Sequence, residues 1–178
     1  MKADHSWIDK HIRQIFKLRI INRNKIKQAN LKVVVDAING AGSIALPSLL
    51  EKLGVEVIRL NCESSGDFVH LPEPTPVNLQ MLSAAVKRFK ADIGMACDPD
   101  ADRLALIDNT GRPLSEELTL ALAVKFVLAK QKGKVVVNLS TSRVTETTAG
   151  EMGEKTFYTP VGEANVIEGI RKHKAVIG

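Results

Sequence analysis

Aromatic residues and cysteines are scarce in this sequence, and long apolar runs are absent. Only 4% of the residues are aromatic while 44% are hydrophobic, so the sequence predicts a core of mainly aliphatic side chains. The two cysteines, Cys62 and Cys97, are too few for a disulfide framework, which favours a reducing, cytoplasmic location. No run of 18 apolar residues occurs, which argues against a membrane-spanning helix.

The net charge of +5 is concentrated near the start of the chain. Residues 1–32 hold nine Lys and Arg against Asp4 and Asp9, whereas the rest of the chain carries a net charge of −2. A basic segment can indicate nucleic-acid binding, but here Ile8, Ile12 and Ile15 recur at helical spacing. We therefore predict an amphipathic surface helix and no nucleic-acid partner.

Apolar runs alternate with amphipathic segments along the chain, which predicts an α/β protein with helices on both faces of its sheets. Ser43 is predicted to cap a helix that has Pro47 in its first turn. The predicted strands are 31–36, 55–60, 93–97, 104–108, 134–139, 156–159 and the start of another at 175–177. The predicted helices are 6–18, 43–53, 77–89, 115–131, 142–152 and 163–173.

The most informative motif is the acidic hexapeptide at residues 98–103, Asp-Pro-Asp-Ala-Asp-Arg, which lies between two apolar runs. Its three carboxylates repel one another, by about 1 kcal/mol per pair at 4 Å in water and several-fold more near a protein surface. A loop keeps such a cluster when a cation binds it, and oxygen ligands suit hard cations such as Mg²⁺. We therefore predict that Asp98, Asp100 and Asp102 bind a metal ion.

Three alternatives for this loop remain open. It could be a solvated acidic turn. A calcium loop of the EF-hand type has the same spacing of acids, but it requires Gly and Glu where Arg103 and Asn109 stand. A phosphatase could use Asp98 as its nucleophile and Asp100 as its acid, although Asp102 stands where such enzymes usually carry Thr or Val.

The acidic hexapeptide resembles the metal loop of the α-D-phosphohexomutases, the family of phosphomannomutase, phosphoglucomutase and phosphoglucosamine mutase. The family pattern Asp-x-Asp-x-Asp-Arg is matched at its four functional positions. Residues 33–43 resemble the strand and Gly-rich turn that open the second domain of the family, and residues 70–79 resemble its Pro-rich segment. Residues 159–166 resemble a third-domain loop of the archaeal and phosphoglucosamine-type branch.

This resemblance implies a central fragment of a longer enzyme. Residues 1–110 would be the second domain and residues 111–178 a truncated third domain, each a mixed β-sheet flanked by helices. In the family the first domain carries a serine that cycles through phosphoserine, and the fourth domain grips the substrate phosphate. The serine motif does not occur in this sequence, so we expect domain I to be a missing partner and the fragment to be inactive alone. The resemblance ends within the third domain, so we expect domain IV to be a missing partner as well.

The resemblance also assigns roles within a reaction that converts a hexose 6-phosphate into a 1-phosphate through a bisphosphorylated sugar. The three aspartates would hold Mg²⁺, and Arg103 would be a catalytic donor beside the phosphate. Gly162 and Glu163 align with a substrate-contacting loop, although some members carry His after the Gly. The residues alone leave open that Arg103 only pairs with Asp98 or Asp102.

The expected partner of the complete enzyme is therefore a phosphosugar, whose hexose the sequence does not fix. Two rival functions stay open: a free-standing phosphatase that uses Asp98, and a metal-binding module without catalysis.

Overall fold

The structure is a computed structural model that describes residues 5–178. The described chain divides into two compact units between Leu114 and Ser115. Pro113 and Leu114 belong to the first unit because Pro113 forms an antiparallel bridge with Ile107 and the amide of Leu114 donates to the carbonyl of Leu106 at 2.8 Å. The domain boundary between residues 110 and 111 stays a prediction, and it lies four residues before this division.

The described residues of the first unit form four helices and four strands. They are α1 (Ser6–Ile15), α2 (Arg23–Gln28), β1 (Lys32–Asp36), α3 (Gly42–Lys52), β2 (Glu56–Leu60), α4 (Gln80–Phe89), β3 (Ile93–Cys97) and β4 (Leu104–Ile107). The strand order is β2-β1-β3-β4, with β1 parallel to both β2 and β3 and with β4 antiparallel to β3. This unit is therefore a mixed sheet.

Helices cover both faces of this sheet, and the alternation of side chains along β1 explains how. Val34 packs in one core with Leu82 of α4, whereas Val33 and Val35 pack in another core with Leu50 of α3. A strand that is buried on both faces needs apolar residues at consecutive positions, which accounts for the unbroken valine run.

Helix α3 differs from its prediction at its first turn. It begins at Gly42, so Ser43 lies inside the helix and its predicted capping role is wrong. The Ser43 hydroxyl instead donates a hydrogen bond to the carbonyl of Gly40 at 2.8 Å. Pro47 is the sixth residue of the helix, beyond the first turn in which it was predicted.

The predicted amphipathic helix near the start of the chain forms as α1, with Ile12 buried and Trp7 68% exposed. The first four residues of the basic segment lie outside the described residues. The sequence did not predict α2, a single short helix that Asn22 caps by accepting a hydrogen bond from the amide of Lys25 at 2.9 Å.

The second unit contains α5 (Glu116–Leu128), β5 (Val135–Asn138), α6 (Arg143–Glu151), β6 (Thr156–Thr159) and α7 (Glu163–His173). Strands β5 and β6 are parallel, and Ile177 forms a parallel bridge with Val135, where the start of another strand was predicted. Its core consists of buried aliphatic residues from α5, β5 and α6: Val124, Leu128, Val135, Val137 and Ala149.

The predicted α/β class is confirmed, and the bounds of β3, β6 and α7 agree with the prediction. Over residues 5–178, every helix is too short or too polar to cross a membrane.

Candidate metal centre

The acidic loop lies at the carboxyl edge of the first sheet, between β3 and β4. It contains the cluster of Asp98, Asp100 and Asp102, each of which offers one carboxylate oxygen within 4.8 Å of the others. The three side chains therefore lie close together in space, and their role as metal ligands stays a prediction. Because strands flank the loop, it lacks the helix–loop–helix framework of an EF-hand.

A Gly-rich turn, which follows β1, packs closely against the acidic loop. The amide of Ala41 donates to the carbonyl of Pro99 at 2.8 Å. A Cβ atom on Gly40 would lie 2.6 Å from that same carbonyl oxygen, and one on Gly42 would clash with the sulfur of Cys97. Glycine at both positions therefore allows the turn to approach the acidic loop closely.

Asp98 is the buried member of the cluster, at 2% exposure. Arg103 holds both of its oxygens: Nε donates to Oδ2 at 2.7 Å, and the backbone amide donates to Oδ1 at 3.1 Å. Burial by itself would raise the pKa of Asp98, but these hydrogen bonds outweigh it and keep the pKa below its ordinary value. Asp98 is therefore ionised at neutral pH.

Asp100 and Asp102 are exposed. The pKa of Asp102 is raised above its ordinary value. The main cause is the negative charge of Asp100, and the second cause is the contact with Asp98. Such mutual repulsion is the electrostatic condition that a bound cation relieves.

Arg103 contacts two further carboxylates. Its Nη1 lies 3.5 Å from Oε1 of Glu73, and its Nε lies 3.9 Å from Oδ1 of Asp102. Sequence reasoning missed Glu73 because no local pattern links the Pro-rich segment to a loop 25 residues later. Arg103 does pair with Asp98 and Asp102, as expected under the alternative that Arg103 only forms ion pairs.

The Pro-rich segment also contributes His70, which the sequence gave no role. Its Nε2 lies 3.2 Å from Oδ2 of Asp36, a buried carboxylate at the end of β1. Asp36 is the last residue of β1, and Asp98 directly follows β3. Because β1 and β3 are parallel, both acids lie at the carboxyl edge of one sheet.

Cys97 precedes the acidic loop as a packing residue. It is 7% exposed, and burial is the main cause that raises the pKa of its thiol to about 11. A thiol that stays protonated is a poor nucleophile, so we interpret Cys97 as a packing residue at the end of β3.

Gly162 and Glu163 lie in the second unit, where Gly162 is the N-cap residue of α7 and Glu163 is its first residue. Gly162 has φ of 125°, a value that side chains rarely tolerate. Glu163 is exposed, and its charge suits the N-terminus of a helix. The backbone angle accounts for glycine at position 162, and the helix N-terminus accounts for an acid at position 163. The substrate role of both residues stays a prediction.

Two family models match the chain. The model for phosphoglucomutase/phosphomannomutase alpha/beta/alpha domain II matches residues 9–111, and the model for domain III matches residues 104–178. The resemblance stated from the motifs is therefore confirmed, as is the identity of the two domains.

Curated relatives are longer proteins. A probable phosphoglucosamine mutase of Pyrococcus horikoshii is 40% identical over 158 residues, which cover 86% of this chain and 35% of that protein. One of Methanosarcina barkeri is 38% identical over 178 residues, which cover 99% of this chain and 39% of that protein. The chain thus spans little more than a third of the length of either relative.

Solved structures agree with the match to the family models. A phosphoglucomutase/phosphomannomutase family protein from Burkholderia thailandensis matches all of this chain, and 38% of its own, with a TM-score of 0.82 at 28% identity. A putative phosphomannomutase from Thermus thermophilus matches 96% of this chain, and 39% of its own, with a TM-score of 0.76. At 20% identity the second likeness supports the fold alone.

Proposed function

This chain belongs to the phosphoglucomutase/phosphomannomutase family, and on that premise we propose that it is the central part of a phosphohexomutase. The complete enzyme would interconvert hexose 6-phosphate and hexose 1-phosphate, through a phosphoserine and a bisphosphorylated sugar. The names of the curated relatives favour a glucosamine phosphate as the sugar. The free cysteines Cys62 and Cys97 support a cytoplasmic location for this step of carbohydrate metabolism.

The observation that carries the proposal is the cluster of three carboxylates in the acidic loop. Oxygens that bind one Mg²⁺ at its usual distance lie at most about 4.2 Å apart. The observed limit of 4.8 Å is close enough for small side-chain rotations to close the site. We therefore assign Asp98, Asp100 and Asp102 as ligands of Mg²⁺, which when bound would neutralise charge on a phosphoryl group as a Lewis acid.

Asp98 has the lone pairs that this role requires. An ionised carboxylate offers about four acceptor sites, and Arg103 occupies one on each oxygen. The remaining sites can face a cation, while Arg103 fixes the orientation of the carboxylate. The arrangement leaves Asp100 and Asp102 exposed and able to turn toward the metal.

Arg103 is proposed as the catalytic cation of this loop. Its guanidinium is planar and can donate two parallel hydrogen bonds to phosphoryl oxygens, which would position the group that is transferred. Gly162 and Glu163 are proposed to contact the sugar phosphate through the loop that begins α7.

The rival phosphatase requires Asp98 as a free nucleophile. Burial and the two hydrogen bonds from Arg103 weigh against it, because an attacking carboxylate must reach the phosphorus atom of a bound substrate. The rival module without catalysis would bind metal in the same loop, so metal binding does not separate it from the mutase.

The test of the metal site is a titration of the 178-residue chain with Mg²⁺, followed by NMR. We expect weak binding, with shifts centred on residues 98–103, because the family's phosphoserine ligand is not in this chain. Asp100→Asn should abolish the shifts, whereas Asp67→Asn removes the same charge from an exposed side chain outside the cluster and should preserve them. Shifts centred elsewhere would contradict the assignment.

Turnover separates the three functions. The chain alone should neither isomerise glucosamine, mannose or glucose phosphates nor hydrolyse p-nitrophenyl phosphate, since it lacks the serine that donates the phosphoryl group. The complete parent enzyme, which would carry the serine, should isomerise one of these sugar phosphates. Hydrolysis by the chain that Asp98→Asn abolishes would instead support the phosphatase, and an inactive parent would support the module.

A further inference from the structure

We propose that Glu73 is a positioning residue that holds the guanidinium of Arg103 in place beside the metal loop. Glu73 lies in the Pro-rich segment, and its Oε1 is 3.5 Å from Nη1 of Arg103. Asp98 contacts the same guanidinium at Nε, at 2.7 Å. A planar group that is held at two different nitrogens cannot rotate without breaking one contact.

Two prolines and two hydrogen bonds restrict the backbone around Glu73. Pro72 and Pro74 flank the residue, and a proline restricts both its own φ and the conformation of the residue before it. The carbonyl of Glu73 accepts two hydrogen bonds of 2.8 Å, from the amide of Thr75 and from Nδ2 of Asn78. The carboxylate is therefore presented to Arg103 from a rigid support.

A second contact fastens the segment just before Glu73. His70 binds Asp36 at the end of β1, where the Asp36 side chain is 1% exposed. The segment is thus tied to the core of the sheet before Glu73, and the Asn78 side chain holds the backbone of Glu73 from within the segment. This support distinguishes the Glu73–Arg103 contact from a chance pairing of two mobile surface side chains.

The contact is suited to orientation more than to stability. The side chains of Arg103 and Glu73 are 44% and 64% exposed, and ion pairs with such exposure contribute little to folding. Glu73 does, however, give the guanidinium an acceptor outside the metal loop. Within the metal loop, the acceptors of the guanidinium are Asp98 and Asp102, which the cation would also use.

The deciding measurement is side-chain ¹⁵N NMR of Arg103 in the metal-free chain, with Arg103→Lys used to assign the signal. We expect Glu73→Gln to shift the Nε–H resonance and to speed its exchange with water about two- to fivefold, the size expected for loss of an exposed ion pair. Asn78→Ala keeps the charge of Glu73 but removes its support, and it should act in the same direction. Glu63→Gln removes the same charge from an exposed residue that precedes the Pro-rich segment and should change neither property.

A second measurement deepens the proposed function and rests on it: Glu73→Gln should also weaken Mg²⁺ binding about two- to fivefold. If the unaltered chain binds no Mg²⁺, the proposed metal site fails, while the metal-free resonance still decides the role of Glu73. The inference is overturned if Glu73→Gln leaves the resonance and its exchange unchanged, or if Glu63→Gln changes them equally.

Discussion

His70 and Asp36 form a hydrogen-bonded pair across 34 residues of chain, with Nε2 of His70 3.2 Å from Oδ2 of Asp36. The other ring nitrogen, Nδ1, lies 2.8 Å from the carbonyl oxygen of Leu71. Oδ1 of Asp36 already accepts from the amide of Ile38 and from Asn61, and His70 satisfies the second oxygen.

Replacing His70 should therefore destabilise the first unit. His70→Ala would leave one oxygen of a buried carboxylate without its partner, at a cost of about 1–3 kcal/mol in the free energy of unfolding. Urea denaturation measures this cost. His70→Gln is the matched control, since its amide can donate to Asp36 and should recover part of the loss. Equal stability of the Ala variant and the unaltered protein would mean that the pair contributes nothing.

We predict that glycine at position 101, within the acidic loop, makes the protein more stable than alanine does. The φ of Ala101 is 62°, in the left-handed region, where a Cβ atom costs roughly 1–2 kcal/mol. Ala101→Gly removes this strain but makes the unfolded chain more flexible, so we expect a net gain of up to about 1 kcal/mol. Thermal unfolding measures the change. A loss of stability would show that packing of the Ala101 methyl group outweighs the backbone strain.

The periodicity of the sequence predicted most of the fold because burial sets the pattern. The valine run of β1 requires apolar contact on two faces, and the structure supplies it through α3 and α4. Helix α2 escaped prediction because Ile26 is its one apolar residue, and the five polar and basic residues around it form no periodic apolar face. The predicted start of α3 is one residue too late. Ser43 was predicted to cap the helix, but its hydroxyl donates instead to the carbonyl of Gly40, which precedes the helix.

The candidate site was predicted only where its residues are close in sequence. Asp98, Asp100 and Asp102 lie within one loop, so their spacing alone brings them together. Glu73 reaches Arg103, and His70 reaches Asp36, only because the strand order places the Pro-rich segment beside the carboxyl edge of the sheet. Such long-range contacts depend on topology, which local patterns do not encode.

Asp108 predicts a pH dependence of stability. A hydrogen bond from the Thr110 hydroxyl, and then one from the amide of Arg112, lower the pKa of Asp108 below its ordinary value of 3.8. A group whose pKa is lower in the folded state stabilises the protein above its unfolded pKa. This contribution should be present at pH 7 and should disappear as the pH falls through the folded pKa of Asp108, below 3.8.

Denaturation of the unaltered protein and of Asp108→Asn at several pH values checks this prediction. The Asn side chain keeps an acceptor oxygen but does not titrate, so the variant should be less stable at neutral pH and equally stable in acid. A gap that persists in acid would assign the effect to the shape of the turn instead of to the charge of Asp108.

Arg103→Lys separates a catalytic role from a purely structural ion pair. Lysine keeps the positive charge but lacks the planar guanidinium that can donate to two phosphoryl oxygens at once. In a complete parent enzyme we expect kcat to fall on the order of 10²–10³-fold, the usual cost of losing one transition-state donor, with a smaller effect on substrate binding. The 178-residue chain with this substitution should stay folded, because the Arg103 side chain is 44% exposed and contributes little to the core. Steady-state kinetics of the parent and thermal unfolding of the chain measure the two effects separately. If kcat stays near normal, or if the chain unfolds, then Arg103 serves mainly to neutralise the buried charge of Asp98.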